Sequence, residues 1–418
     1  MLLMLNSLAR HFFCLIATLF CMGGFAVDSL VLHGFASQGI VYTSGNEFIN
    51  GSTSGSFDFG QVGLNGYWQL HPRLSVAAQM VSRNVGDGKE NEEDLDFDYL
   101  QLKANVLSGI NNSANAILGW YKIPFGIYGE HRDLPMIYNS IFLPHEHYPD
   151  YYRNRYMRAR GWLFEYAYGG KLGDVKFRLF NGVSGVPSYK EVFDNFGSGS
   201  YFHAPRDKIK GAHLAYSSID GRLKLGLSYF ERDSYLCQII NDFYGNSYSG
   251  WGWYDMDIYV YNHDRASLIF GEYLYDKWTF TLEIGRLSQT YRDGVVITDF
   301  YDKSDVDLDA WRTLKDFSDG YFFQIDREIN QNFAMFLRHG QRYYRDKDRD
   351  KEKSINNYIE TTTAGFRWDI SKNIILKGEY SYIIGGGGFI VNVGDDEDYK
   401  KRSDLYWDMV ILQLVYHF

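Results

Sequence analysis

The end of the chain alternates between two kinds of side chain, and this alternation limits what the chain can fold into. Along an extended strand, side chains at successive positions point to opposite faces. One face of the final strand is apolar as far as the terminal Phe418, whereas the other carries Gln413 and His417 among apolar neighbours. Such a strand separates an apolar environment from a wetter one. The apolar face consists of Val410, Leu412, Leu414, Tyr416 and Phe418.

The same period-two pattern recurs in segment after segment. Around residues 99–106, 175–179, 222–229, 278–284 and 374–382, apolar side chains alternate with polar or charged ones. An inward face that carries lysine and arginine predicts an aqueous interior rather than a packed core. The basic residues that this alternation predicts to face the interior are Lys103, Lys176, Arg178, Arg222 and Lys224.

The links between these segments are of two lengths. Tight turns are predicted near residues 71–72, 169–170, 219–221, 276–277, 329–330 and 370–371. Eight long polar links alternate with them, which predicts about sixteen antiparallel strands closed into a transmembrane β-barrel over residues 27–418. The long links are 44–56, 84–94, 123–158, 184–205, 235–264, 293–316, 344–356 and 386–404.

The N-terminus predicts export. A basic residue, Arg10, precedes an apolar stretch over residues 12–22 that ends in small residues up to Ala26, so residues 1–26 are expected to be a cleaved signal peptide. Two of the 3 cysteines lie within it, and Cys237 is left without an internal partner. Since no disulfide is available, stability is expected to come from an interstrand hydrogen-bond ladder, as in a closed barrel.

Composition excludes some classes of protein. The net charge of −10 argues against nucleic-acid binding. Tyr 35, Phe 30 and Trp 9 suit the aromatic girdles of a membrane barrel. A secreted all-β or glycan-binding protein would be aromatic too and is the alternative at this point.

Several segments carry a family resemblance. The terminal aromatic strand resembles those of Gram-negative outer-membrane barrels, in which the C-terminal strand is read by the barrel-assembly machinery. The segments 32–39, 119–126 and 140–144, with Arg132 and Asp133, resemble the phosphate-selective O/P-type and similar porins. The resemblance implies location in the cell outer membrane beside lipid and lipopolysaccharide. It also implies a passive diffusion channel, a homotrimer and a third long loop folded into the lumen.

The link over residues 123–158 fits that inward loop on its own chemistry. It is long, lacks periodicity and carries charges of both signs, which in a narrow constriction would create a transverse field. The alternative is an external loop whose charges pair in solvent. The predicted pore-constriction residues are Lys122, Glu130, Arg132, Asp133, Glu146, Arg153, Arg155, Arg158 and Arg160.

These residues predict a channel for small hydrophilic solutes with a preference for anions, although the chain as a whole is acidic. No cofactor or metal is expected, since His145 and His147 are two residues apart without a further anchored ligand. No catalytic motif such as Gly-x-Ser-x-Gly occurs, so the chain is not expected to be an enzyme. An adhesin or receptor barrel is the main alternative, and a barrel enzyme is a weaker one.

Overall fold

A closed wall of antiparallel strands is the whole architecture of the part of the chain that the structure describes. The structure is a computed structural model. It describes residues 29–49, 51–84, 96–148, 156–184, 200–203, 207–247, 250–299, 312–346, 358–386 and 404–418. The predicted signal peptide, residues 1–26, lies outside them.

Extended backbone begins directly after the described N-terminus. A single turn of 3-10 helix, Ser52–Ser54, follows the first strand. Within the described residues, no helix is both long and apolar enough to cross a membrane. The strands are β1 Leu30–Thr43, β2 Ser56–His71, β3 Leu74–Asn84, β4 Asp96–Ser108, β5 Asn112–Lys122, β6 Arg158–Gly170, β7 Gly173–Ser184, β8 Ser200–His203, β9 Lys208–Ser218, β10 Leu223–Ser247, β11 Gly250–Tyr275, β12 Trp278–Asp299, β13 Arg312–Asn330, β14 Phe333–Asp346, β15 Tyr358–Asp369, β16 Ile374–Gly385 and β17 Tyr406–His417.

The sheet closes on itself between the first and last strands. β1 pairs with β2 on one side and with β17 on the other, from Phe35↔His417 to Thr43↔Met409. β8 and β9 both pair with β10 along the same edge, so the 17 strands occupy sixteen positions around the wall. The predicted antiparallel barrel of about sixteen strands is therefore confirmed.

Short turns lie at one end of the barrel and long links at the other, as predicted. The sequence prediction was wrong about the link over residues 235–264 and about both ends of the link over residues 293–316. The β10–β11 ladder continues from Tyr235↔Tyr261 to Ser247↔Gly250, with one bulge. β12 extends to Asp299, and β13 begins at Arg312. The backbone ladder extends beyond the segments in which apolar and polar residues alternate in the sequence, so the alternation does not mark its full length.

The two faces of the wall differ as the alternation predicts. On β17, Leu412 and Leu414 are exposed on the outside, whereas Gln413 between them is buried inside. Charged residues such as Arg338 and Glu379 are buried on the inside as well. Apolar clusters also fill part of the interior: the first link packs Phe48 against Phe142 of the 123–157 link. The interior is thus partly occupied by the links themselves.

An arginine placed on the outer face should destabilise the barrel far more than one on the inner face. Leu102 and Gln101 are neighbours on β4 that face opposite sides. We expect Leu102→Arg to cost about 2–4 kcal/mol, the cost of a cation near the middle of a bilayer, and Gln101→Arg to cost little. Urea unfolding in lipid vesicles measures both, and equal costs would contradict the assigned faces.

Candidate functional site: the segment inside the barrel

The link between β5 and β6 enters the barrel, and residues 123–148 of it are termed here the inner segment. Its entry depends on Gly126, whose φ of +65 lies in the left-handed region that favours glycine.

 A side chain at Gly126 would also collide with the Tyr148 hydroxyl and with Glu283. The chain therefore turns inward at a position that only glycine fits.

The first anchors of the inner segment lie on β10 and β12. The Gly126 N–H donates to Ser228 Oγ at 2.9 Å. Glu283 Oε1 accepts both the Ile127 N–H at 2.7 Å and the Tyr148 hydroxyl at 2.8 Å. One wall carboxylate thus holds the two ends of the inner segment together.

Basic side chains on β14, β15 and β16 bind the carbonyl oxygens of the inner segment. Because a buried carbonyl without a partner is costly, these donors replace the water that the backbone would otherwise bind. Glu379 does the converse and accepts the Ile141 N–H. The donor–acceptor pairs are Arg338 Nη1 to Phe142 O at 3.0 Å, Arg342 Nη1 to Glu146 O at 3.1 Å, Arg367 Nη1 to Met136 O at 2.7 Å, Lys377 Nζ to Ser140 O at 2.9 Å and Lys377 Nζ to Pro135 O.

The side chains of His145, Glu146 and His147 have three different surroundings. Glu146 Oε1 accepts the Thr361 hydroxyl at 2.7 Å, and burial raises the pKa of this carboxyl. His147 lies against the glycines of β12 and β13, and burial lowers its pKa to about 3. His145 packs on the opposite side, against Phe48. Within the described residues, no three metal-ligating side chains come together.

Clusters of charged residues hold the two ends of the link between β5 and β6. At its start, Lys122 pairs with Asp98 and Asp133, and Arg83 approaches Asp133 at 3.4 Å. The predicted constriction residues Lys122 and Asp133 are thus buried and neutralise each other instead of lining water. The physical reason is that an unpaired charge is costly to bury.

At the end of the link, Tyr156 contacts a second cluster. Its hydroxyl donates to Asp264 Oδ2 at 2.7 Å. Arg232 is almost fully buried between Asp264 and Asp207, at 2.7 Å and 2.5 Å. Both ends of the link are therefore fixed to the wall.

Other predicted residues lie on the water-facing side of the inner segment. Glu130 pairs with Arg178 at 2.7 Å, and Arg178 also binds Glu165 at 2.9 Å. Lys103 lies 3.8 Å from Glu165, and Lys176 is exposed on the inward face of β7. The structure thus brings together four of the predicted residues: Lys103, Glu130, Lys176 and Arg178.

His131 is exposed beside this group and was not among the predicted residues. Partial burial, together with the positive charges of Lys122, Arg178 and Lys176, lowers its pKa, although Glu130 opposes the shift. The imidazole is therefore neutral at pH 7. Arg132, its neighbour, is half-buried and donates to Tyr148 O at 3.1 Å.

Several predicted residues do not face the middle of the lumen. Arg158 and Arg160 lie on the outward face of β6, because the alternation places Ala159 and Leu163 inside. Glu146 is buried against β15. Arg222 lies on a short turn, where it approaches Asp220 at 3.7 Å.

Three predicted residues remain: Lys224, Arg153 and Arg155. Lys224 faces inward near the short-turn end and pairs with Glu272 at 2.7 Å. Arg153 and Arg155 lie outside the described residues.

Sequence reasoning missed the wall residues that hold the inner segment. Lys377 and Glu379 stand in the inward alternation of β16, but the sequence predicts only that they face inward. Their partners are backbone atoms of a segment more than two hundred residues away. A buried charge opposite an aperiodic link is the one signal that could have indicated such a contact.

Comparisons with known proteins agree on the fold. No protein-family model and no curated protein matches the chain. Among solved structures, an outer membrane protein of Vibrio cholerae, OmpT, has a TM-score of 0.54 at 9% identity and covers 93% of this chain and 97% of its own. OmpF of Salmonella typhi has a TM-score of 0.53 at 14% identity, covering 94% and 99%. The anion-selective porin from Comamonas acidovorans has a TM-score of 0.52 at 13% identity, covering 93% and 99%.

At these identities the likeness shows the barrel fold alone. The barrels are matched over almost their whole length, so the size of the wall agrees as well as its type. The narrower resemblance to the phosphate-selective O/P-type porins is not tested by these matches.

Removing the Lys377 anchor should loosen the inner segment without unfolding the wall. Lys377→Met deletes two hydrogen bonds from a charged donor, each worth about 1.5–3 kcal/mol, so local opening should rise at least about 10-fold. Hydrogen–deuterium exchange of residues 135–142 measures this. Lys372→Met, on an exposed turn, is the matched control. Unchanged exchange in Lys377→Met would show that the anchor does not hold the segment.

Proposed function

We propose that this protein is a passive channel for small hydrophilic solutes in the outer membrane of a Gram-negative bacterium. An apolar outer face and a polar inner face suit a wall between lipid and water. The similarity in fold to outer-membrane porins supports the same proposal. A non-enzymatic role is part of it.

The uneven burial of the inner face carries this proposal. From β10 to β17, inward residues such as Ser228, Glu283, Arg338 and Lys377 are buried beneath the inner segment. On the other side, inward residues such as Gln79 and Asn115 are buried too, but a group of inward residues on β2 to β7 remains partly accessible to water. A solute path would therefore run between the inner segment and β2 to β7. The accessible inward residues there include Gln61, Asn65, Gln101, Lys103 and Lys176.

Charge along this path favours anions. Lys176 is exposed, and Lys103 is only loosely paired with Glu165, at 3.8 Å. Glu130 is held by Arg178, so its charge is compensated. A narrow path with low-dielectric walls strengthens the field of such cations. We therefore propose a preference for anionic or polar solutes, to which Arg132 contributes from the inner segment.

His213 and Ser228 form a hydrogen-bonded pair of the kind found in some catalytic sites, with Nδ1 and Oγ 2.9 Å apart. Ser228 Oγ also accepts the Gly126 N–H, so this serine serves to hold the inner segment. This use favours the channel over an enzyme.

Assembly as a homotrimer, insertion by the barrel-assembly machinery and contact with lipid and lipopolysaccharide belong to the same proposal. The outer faces of β2, β3 and β5 carry small residues, among them Gly66, Ala78 and Ala116. Small residues on an outer face allow neighbouring barrels to approach closely.

Ion preference in planar bilayers tests the channel and its charge. We expect stable conductance steps, in groups of three if the protein is a trimer, and a reversal potential in a salt gradient that shows anion preference. Lys103→Gln with Lys176→Gln should reduce that preference, because both cations lie on the proposed path.

Lys277→Gln with Lys372→Gln, on exposed turns, removes the same charge and serves as the control. Cation preference in the wild type would contradict the proposed selectivity. A folded barrel that never conducts would contradict the channel itself.

Acid should increase anion preference through His131. Because its folded pKa lies below the ordinary value of 6.5, the charge appears at a lower pH than for an ordinary histidine. His131→Gln should remove this part of the pH dependence. Acid also lowers the stability of the folded protein through His131. Because the unfolded residue has the higher pKa, it binds a proton more readily below pH 6.5, which favours unfolding. Reversal potentials between pH 7.5 and pH 5 measure the effect, and an identical profile in the variant would contradict it.

A further inference from the structure

The outer face of the wall carries basic residues on one side of the barrel, just above its apolar band. The strand register places outward residues of β6 to β13 in rows that cross the sheet. One row contains Arg160, Lys208 and Lys315, the next contains Lys210 and Arg265, and the third contains Arg286. We call these six residues the basic arc.

Carboxylates within these rows balance only half of the arc. Glu231 lies 3.2 Å from Lys210 and 3.5 Å from Arg265. Asp319 binds Arg286 through both oxygens, at 2.6 Å and 3.0 Å. Asp233 is the third carboxylate and accepts hydrogen bonds from Tyr261 and His263. Six cations against three carboxylates leave this surface positively charged, although the whole chain carries −10.

The cations remain accessible from outside the barrel. The side chains of Lys210, Arg265 and Arg286 are 65%, 59% and 58% exposed. An arginine that grips one carboxylate still presents further N–H donors, and its planar group matches a phosphate. The arc can therefore bind an anion without breaking its internal pairs.

An apolar hollow of about 840 Å³ lies directly beneath the arc. Its outer lining includes Leu214, Leu227, Ile269, Ile284 and Tyr321, and Ser267 forms a shallow place in its upper row beside Arg286. On a face turned toward lipid, such a hollow is filled by hydrocarbon, because an empty space forfeits dispersion contacts. Its volume and apolar lining fit an acyl chain.

We infer that the basic arc and this hollow together bind a phosphorylated glycolipid of the lipid A type, with its phosphates on the arc and an acyl chain in the hollow. The inference rests on the proposed outer-membrane location. The arc lies toward the long-link end of the wall, which is the extracellular end in such barrels, and the outer leaflet there consists of lipid A-based glycolipid. Charge complementarity selects a phosphorylated head group over a neutral one.

Native mass spectrometry of the refolded protein with purified bis-phosphorylated lipid A tests the site. We expect one retained lipid A per barrel, and binding about 30-fold weaker in Arg265→Gln with Arg286→Gln, as expected for two cations at an anionic lipid head group. Lys176→Gln with Lys224→Gln removes the same charge from the inner face and should leave lipid A binding unchanged. Heat-modifiable migration shows that each variant folds.

A second variant tests the hollow without changing charge. Ser267→Trp should fill its upper end and weaken lipid A binding. Equal binding by the wild type, the arginine variant and the tryptophan variant would overturn the inference, as would phosphatidylglycerol binding as tightly as lipid A.

Conductance of the same preparations separates the two proposals. If lipid A binding is lost in the arginine variant while no preparation conducts, the lipid site stands and the channel fails. If all preparations conduct with equal lipid A binding, the channel stands and the lipid site fails.

Discussion

The structure depends on pairing every backbone polar group of the wall, because a lipid environment offers no hydrogen bonds in return. The seam shows how far this pairing extends. The Phe418 N–H donates to Gly34 O at 3.0 Å, and the Gly34 N–H donates to Phe418 O at 3.2 Å. The terminal aromatic is thus part of the ladder that closes the barrel. The ring of Phe418 also lies where a side chain at Gly34 would be, so glycine there permits the close approach.

The same constraint then acts on the interior. A segment that enters the barrel brings backbone groups that lose water, and the wall must supply partners for them. Buried lysine and arginine bind its carbonyl oxygens, and Glu283 and Glu379 accept its N–H groups. Each charge would be costly alone, so the wall and the segment require each other. Such contacts define one position of the segment more than they add stability.

Sequence patterns predict the wall well and the site only in part. A period-two pattern determines which face a side chain takes, as for Leu412 and Gln413, but it depends on knowing where a strand begins. The predicted link ends at residue 158, and the predicted cluster of constriction arginines extends to Arg160. β6 already includes Arg158 and Arg160 and turns both outward. A shift of one residue reverses the face. The partners of Lys377 and Glu379 could not be predicted, because they depend on how a distant aperiodic segment folds.

Position, more than total charge, decides what the charges of this protein do. The chain carries −10, yet the proposed path and the outer arc are both basic. At physiological salt, exposed charges are screened within about 8 Å, so a solute inside the barrel responds mainly to the charges that line its path. Lys103 and Lys176 act at close range, on the side that the inner segment leaves accessible. The anchoring of the inner segment to β10 through β17 therefore selects which cations a passing solute meets.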